Sequence, residues 1–165
     1  MVSEPSDGTW TSRKGIEVKI KGLAALAAMF LATGANAVGP IIVHRDPGCG
    51  CCEKWAAQVR AQFGKRVTII DDHQRTAFQR MNGVPAALAS CHTTTIDGMT
   101  FEGHVPIADM KRVLTQKPRG VRGLAVVGMP MGSPGMEVPG QRVEAYNVIA
   151  FGPGGQTVFA RHGER

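Results

Sequence analysis

The sequence predicts an α/β domain, a mixed sheet flanked by helices and finished by a hairpin. Three observations point there. Short β-branched runs alternate with amphipathic helical patterns in the first half of the chain, an Asp-Gly turn divides two later strand-like runs, and Pro-Gly-Gly divides two more near the end. Strand, helix, strand, helix in that order implies a parallel pair joined by a crossover.

In chain order, residues 1–37 read as an export leader rather than as part of the fold. Lys19 and Lys21 precede an apolar run over 22–32, and Ala35-Asn36-Ala37 supplies the small-x-small pattern of a cleavage site after Ala37. The run falls short of the roughly 20 apolar residues a membrane span needs, so no permanent anchor is expected. Polar residues 1–17 exceed an ordinary n-region and read as an upstream extension. The remainder, 38–165, suits a single domain.

Residues 41–44, led by Ile41, Ile42 and Val43, predict a short buried strand. Trp55, Val59 and Phe63 recur at i, i+4 and i+8 among polar residues, predicting an amphipathic helix over 53–63 that Gly64 ends. The β-branched run 67–70 predicts a second strand, after which Asp71 or Asp72 caps a helix over 73–81, stopped at Asn82-Gly83. Beyond Val84-Pro85 a loop leads into a strand ending at Ile96, Asp97-Gly98 turns the chain, and 99–102 returns antiparallel. Pro106 opens a helix to about Thr115, with Ile107, Met110 and Leu114 at core spacing. Between Gly120 and Gly140 the composition turns to Gly and Pro, which predicts a loop, and a hairpin of 146–151 with 156–161 closes the chain. A cysteine loop at the first strand–helix junction, then Val-Pro, a hairpin and a helix, is the order of a thioredoxin-like fold. In such folds the proline before the third strand is often cis; Pro85 is that candidate, an ordinary turn residue being the plain alternative.

The formal net charge of +6 is scattered, no basic run exceeds Lys65-Arg66 or Lys111-Arg112, and only 5% of residues are aromatic, so no nucleic-acid partner is expected. The cysteines carry the chemistry. Cys49, Cys51 and Cys52 sit where a strand turns into a helix, and a helix N-terminus offers unpaired N–H groups and a positive dipole end that favour thiolates. Adjacent Cys51 and Cys52 do not pair easily, and a Cys49–Cys52 bridge would leave Cys51 to find Cys91; two conventional disulfides are the competing reading. His44 ends the first strand beside this loop, His92 adjoins Cys91, and His104 stands at the mouth of the last helix; each is open to ligation or to a hydrogen-bonding role. Met129, Met131 and Met136 lie in the Gly/Pro loop, where no regular face exists to make them core. Thioether with thiolate is a soft set suited to Cu(I), whereas zinc more usually takes Cys and His in a closed tetrahedron. A hydrophobic flap packed on the sheet is the alternative for that loop.

The blocks Pro47-Gly48-Cys49-Gly50-Cys51-Cys52-Glu53-Lys54-Trp55, Gly83-Val84-Pro85, Ala89-Ser90-Cys91-His92-Thr93, Glu102-Gly103-His104-Val105-Pro106 and Gly123-Leu124-Ala125-Val126 through Gly128-Met129-Pro130 and Gly132-Ser133-Pro134-Gly135-Met136-Glu137 stand in order over nearly all of 41–162. Together they resemble the CopG-type family of exported copper-resistance proteins, long labelled a domain of unknown function. The resemblance implies a thioredoxin-like fold that gathers Cu(I), several ions among them, in a thiolate cluster on Cys49, Cys51, Cys52 and Cys91. It implies a periplasmic protein of copper homeostasis, with copper ions as partners and other periplasmic copper carriers or exporters as candidates. Two readings from other classes stay open beside it. One is a thiol-disulfide oxidoreductase with Cys49 attacking, Cys52 resolving and Pro85 shaping the groove; the other is a zinc-stapled structural module.

Overall fold

The computed structural model describes residues 40–163, so the leader over 1–37 lies outside the described residues. Seven strands form one mixed sheet in the order β2-β1-β3-β4-β5-β6-β7. Their ranges are β1 (Ile41–Arg45), β2 (Val67–Asp71), β3 (His92–Ile96), β4 (Met99–Glu102), β5 (Gly123–Ala125), β6 (Tyr146–Gly152) and β7 (Gly155–His162). The helices are α1 (Gly50–Phe63), α2 (Arg75–Met81) and α3 (Ile107–Gln116), with a 3-10 turn at Ala86–Leu88.

β1 and β2 pair in parallel across the α1 crossover, as the strand–helix–strand pattern requires. β3 runs antiparallel to β1 and to β4, so the chain that leaves β1 at Arg45 and the chain that enters β3 at His92 lie side by side. That pairing decides the geometry of the site. β4 pairs in parallel with β5, and β5, β6 and β7 continue antiparallel.

Strand alternation sorts the apolar residues onto two faces. On one, Ile41, Val43, Phe101, Leu124, Val148 and Ala150 pack with Trp55, Ala56 and Val59 of α1 and Met110 and Val113 of α3. On the other, Ala125 and Phe151 pack with Val84 and Leu88 in a smaller cluster. Trp55 is fully buried and donates its indole N–H to the Val105 carbonyl at 3.0 Å, tying α1 to the entry of α3.

Several boundaries differ from expectation. The first helix begins at Gly50 rather than at residue 53, so Cys51 and Cys52 belong to its first turn and Cys49 is its N-cap. The second begins at Arg75, because Asp72 Oδ1 accepts the Gln74 N–H at 2.8 Å and holds the chain in a turn first. β5 was not expected at all within the Gly/Pro-rich stretch. Pro85 is also corrected: every peptide bond among the described residues is trans. Its extended backbone, φ −62° and ψ 138°, leads into the 3-10 turn, whose Leu88 N–H reaches the Pro85 carbonyl at 2.8 Å. Pro85 therefore starts a turn, and β3 follows only at His92.

Candidate metal centre

The site is built where β1 hands over to α1 and where the chain enters β3. Arg45, at the end of β1, donates to the Cys49 carbonyl at 2.8 Å, to Glu53 at 2.8 Å and to Asp71 at 2.6 Å, fixing the loop, the first turn of α1 and the end of β2 together. Asp46 N–H donates to the Cys91 carbonyl at 3.0 Å, which stitches the cysteine loop to the start of β3.

Four sulfurs converge there. Those of Cys49, Cys51, Cys52 and Cys91 all lie within 4.8 Å of one another. Cys49 and Cys52 are disulfide-bonded, their Cα atoms 5.4 Å apart, as the first turn of a helix permits at a spacing of three. Cys51 and Cys91 are free. Cys51 Sγ stands 3.4 Å from Cys49 Sγ and 3.6 Å from Met129 Sδ.

Cys91 faces two imidazoles, His104 Nε2 at 3.2 Å and His92 Nδ1 at 3.4 Å. The tautomer of His104 follows from its other contact. The Pro134 carbonyl, 2.7 Å from Nδ1, can only accept, so Nδ1 carries the hydrogen and the Nε2 lone pair points at the Cys91 sulfur. Burial holds the pKa of His104 below the usual histidine range. His92 is fully buried, packed between the Trp55 and His104 rings, and its pKa is held well below that range by burial and then by the nearby His104. Its Nε2 is a buried polar atom with no hydrogen-bond partner. Both rings are thus neutral donors, the form in which imidazole binds metal.

Burial also pushes the Cys91 thiol up to about 12, with the neighbouring Cys51 adding to the rise. The dipole of α1 does not lower the Cys91 thiol, which comes from the bend just before β3 and not from the helix. An ion bound there must therefore displace its proton.

Behind the cysteines lies a buried carboxylate that sequence reasoning missed. Glu102 Oε1 accepts from the Ser90 backbone N–H and from Gln79 Nε2, both at 2.6 Å, and Oε2 accepts from the Thr93 hydroxyl at 2.5 Å. Arg75 Nη1 lies 3.5 Å from the same carboxylate while its other guanidinium nitrogens hold Asp46 at 2.7 and 3.0 Å. Residues on both sides of Cys91, and the start of the cysteine loop, thus hang on one network. Burial raises the Glu102 pKa above the ordinary carboxyl value against these hydrogen bonds. Alternation along β4 sets Glu102 on the face opposite Met99 and Phe101, where Gln79 of α2 and the backbone at Ser90 cover it, and no sequence signal named those partners.

The other candidates divide. Met129 reaches Cys51, whereas Met131 and Met136 serve the loop through their backbones: Met131 N–H donates to Glu144, and Met136 exchanges hydrogen bonds with Gly132 and Ser133. His44 stands outside both the four-cysteine group and a second group, Cys52, Cys91, His92 and His104, whose donor atoms also lie within 4.8 Å of one another. Its Nδ1 pairs with Asp72 at 2.9 Å and its ring stacks on Phe78 at 3.7 Å, because position 44 points to the α2 face of β1. That contact lowers the Asp72 pKa.

The methionine loop is seated on α1 by a glycine. Gly135 has φ +87°, and a Cβ there would stand 2.6 Å from the Cys51 carbonyl and 2.9 Å from the Trp55 nitrogen, so only hydrogen fits. Next to it, Pro134 supplies the carbonyl that orients His104.

Residues 88–136 match a family model described as a protein of unknown function, DUF411. The chain is also similar to two solved structures of a protein described as copper resistance protein copG. To form 1 it is 41% identical, covering 77% of this chain and 99% of that one with a TM-score of 0.70. To form 2 it is 42% identical, covering 74% and 97% with a TM-score of 0.67. No curated protein matches the chain.

Proposed function

Because the chain belongs to the CopG-type family of copper-resistance proteins, we propose that it is an exported protein that holds Cu(I) on a cluster of cysteine thiolates. The observation that carries the reading is the meeting of Cys91 with Cys49, Cys51 and Cys52 within 4.8 Å. Bridging thiolates let a few sulfurs hold more than one cuprous ion, and a soft donor set rejects Mg and Ca. His104 Nε2 and Met129 Sδ flank the sulfurs and complete the coordination where a thiolate is missing. Reduction of the Cys49–Cys52 disulfide precedes full loading, since a sulfur in that bond is no thiolate. Each thiol that takes up copper gives up a proton.

The export part of the proposal rests on the leader pattern over 1–37. No helix among the described residues is long and apolar enough to cross a membrane. Sequencing the N-terminus of protein from a periplasmic fraction should find Val38; an intact Met1 in that fraction would contradict cleavage.

The copper reading is tested by titrating Cu(I) into fully reduced protein. Thiolate-to-copper absorption that rises beyond one equivalent supports it, and absence of that absorption counts against a cluster. The Cys49–Cys52 disulfide favours a second reading, a thiol-disulfide oxidoreductase, because that pair has the C-x-x-C spacing at a helix N-terminus. It predicts insulin reduction that disappears in Cys49→Ser. Copper binding without such exchange would dismiss it.

A further inference from the structure

We infer that Cys51 and Cys91 form a metal site of their own, open to one soft monovalent ion while Cys49 and Cys52 remain disulfide-bonded. The inference rests on the copper-binding reading above and divides its site into two parts with different redox requirements.

In the disulfide-bonded state two of the four sulfurs are withdrawn from coordination, and the two that remain are not a random pair. Cys51 and Cys91 are both partly exposed, and their sulfurs lie within 4.8 Å. Two thiolates, each about 2.3 Å from a shared ion, stand at most about 4.6 Å apart, so small side-chain rotations complete the bridge. Each is backed by a further donor of its own. Met129 Sδ lies 3.6 Å from Cys51 Sγ, and Met129 is 52% exposed, so the thioether stands at the mouth of the site. His104 Nε2 lies 3.2 Å from Cys91 Sγ with its lone pair turned toward it by the Pro134 carbonyl. Both flanking donors are supplied or oriented by the methionine loop. This gives the loop's fixed seat on the Cys51 carbonyl a purpose. Thiolate with thioether favours Cu(I) or Ag(I) over harder cations.

On this account the Cys49–Cys52 disulfide sets capacity rather than switching binding on or off. A reducing dithiol opens it by exchange: the dithiol ends as a disulfide, and Cys49 and Cys52 each leave with one hydrogen, a balanced transfer of two electrons and two protons. The released thiols then extend the two-cysteine site into the cluster.

The experiment uses Ag(I), a soft monovalent probe that does not reduce disulfides, with native mass spectrometry of the oxidised protein, the fully reduced protein and the Cys49→Ser/Cys52→Ser double variant. One bound Ag(I) is expected in the oxidised protein and in the double variant, and more than one in the reduced protein. Cys91→Ser in the oxidised state should weaken binding at least about tenfold. An oxidised protein that takes no ion while the reduced protein takes several overturns this inference and leaves the cluster standing. Equal uptake in both states also overturns it. Failure of every form, the reduced one included, would bring down the copper-binding reading itself.

Discussion

Replacing Glu102 by alanine removes the carboxylate that receives the Ser90 N–H, the Gln79 amide and the Thr93 hydroxyl at 2.5–2.6 Å. Each buried donor left without a partner costs about 1–3 kcal/mol, so three would sum to several kcal/mol. Burial of the carboxyl, visible in its raised pKa, already offsets part of that gain. The net expectation for E102A is a loss of about 2–4 kcal/mol, a large share of the roughly 5–15 kcal/mol of a typical domain. E102Q is the informative control. Its carbonyl oxygen can replace Oε1, and its amide can donate to the Thr93 hydroxyl, which accepts as readily as it donates, so it should cost under about 1 kcal/mol. Urea unfolding of the metal-free, disulfide-intact protein at neutral pH measures both. A cost below about 1 kcal/mol for E102A, or equal costs for the two variants, would mean that the Glu102 hydrogen bonds do not hold this part of the fold together.

The folded pKa of Glu102 is above its unfolded one, so its carboxyl favours the fold below about pH 4.5 and that contribution is lost as pH rises through the folded value; E102Q should remove this dependence from urea midpoints taken across that range. His92 and His104 have lowered folded values, so their contribution is complete above about pH 6.5 and is lost as pH falls, by up to about 1.4 kcal/mol per pH unit for each ring. Measured in E102Q, where the opposing carboxyl is absent, metal-free stability that stays flat from about pH 7 to 5 would contradict this. Gly135→Ala meets the Cys51 carbonyl and a positive φ, and should cost about 1–3 kcal/mol in urea unfolding; a neutral result would mean the loop is not seated as described. Met129→Leu should weaken Cu(I) binding in a competition assay with a chromophoric chelator while Met131→Leu leaves it unchanged, and the reverse ranking would refute the Met129 assignment.

What could be read from the sequence follows the strength of the local signals. The β-branched runs, the Trp55/Val59 spacing and Asp97-Gly98 each carry one dominant preference, and β1, α1, β2, β3 and β4 form where those preferences point. β5 escaped because Gly-Leu-Ala has no strand signature: Gly123 is required because a Cβ would run into the Thr100 carbonyl and the Phe151 ring, a tertiary constraint. The early start of α1 escaped because Gly50, Cys51 and Cys52 have no amphipathic period. At the site, the cysteines declared themselves through spacing, but Arg45, Arg75 and Glu102 are ordinary charged residues until β1 and β3 are set side by side. His44 shows the converse: proximity in sequence to the cysteine loop did not survive the alternation of β1, which turned its ring to Phe78.

X-ray absorption at the copper edge of reduced, Cu(I)-loaded protein, compared with Cys91→Ser, shows whether the four cysteines hold the metal together. A first shell dominated by sulfur, losing sulfur in the variant, is expected. A shell dominated by nitrogen or oxygen, or one that Cys91→Ser leaves unchanged, would contradict it.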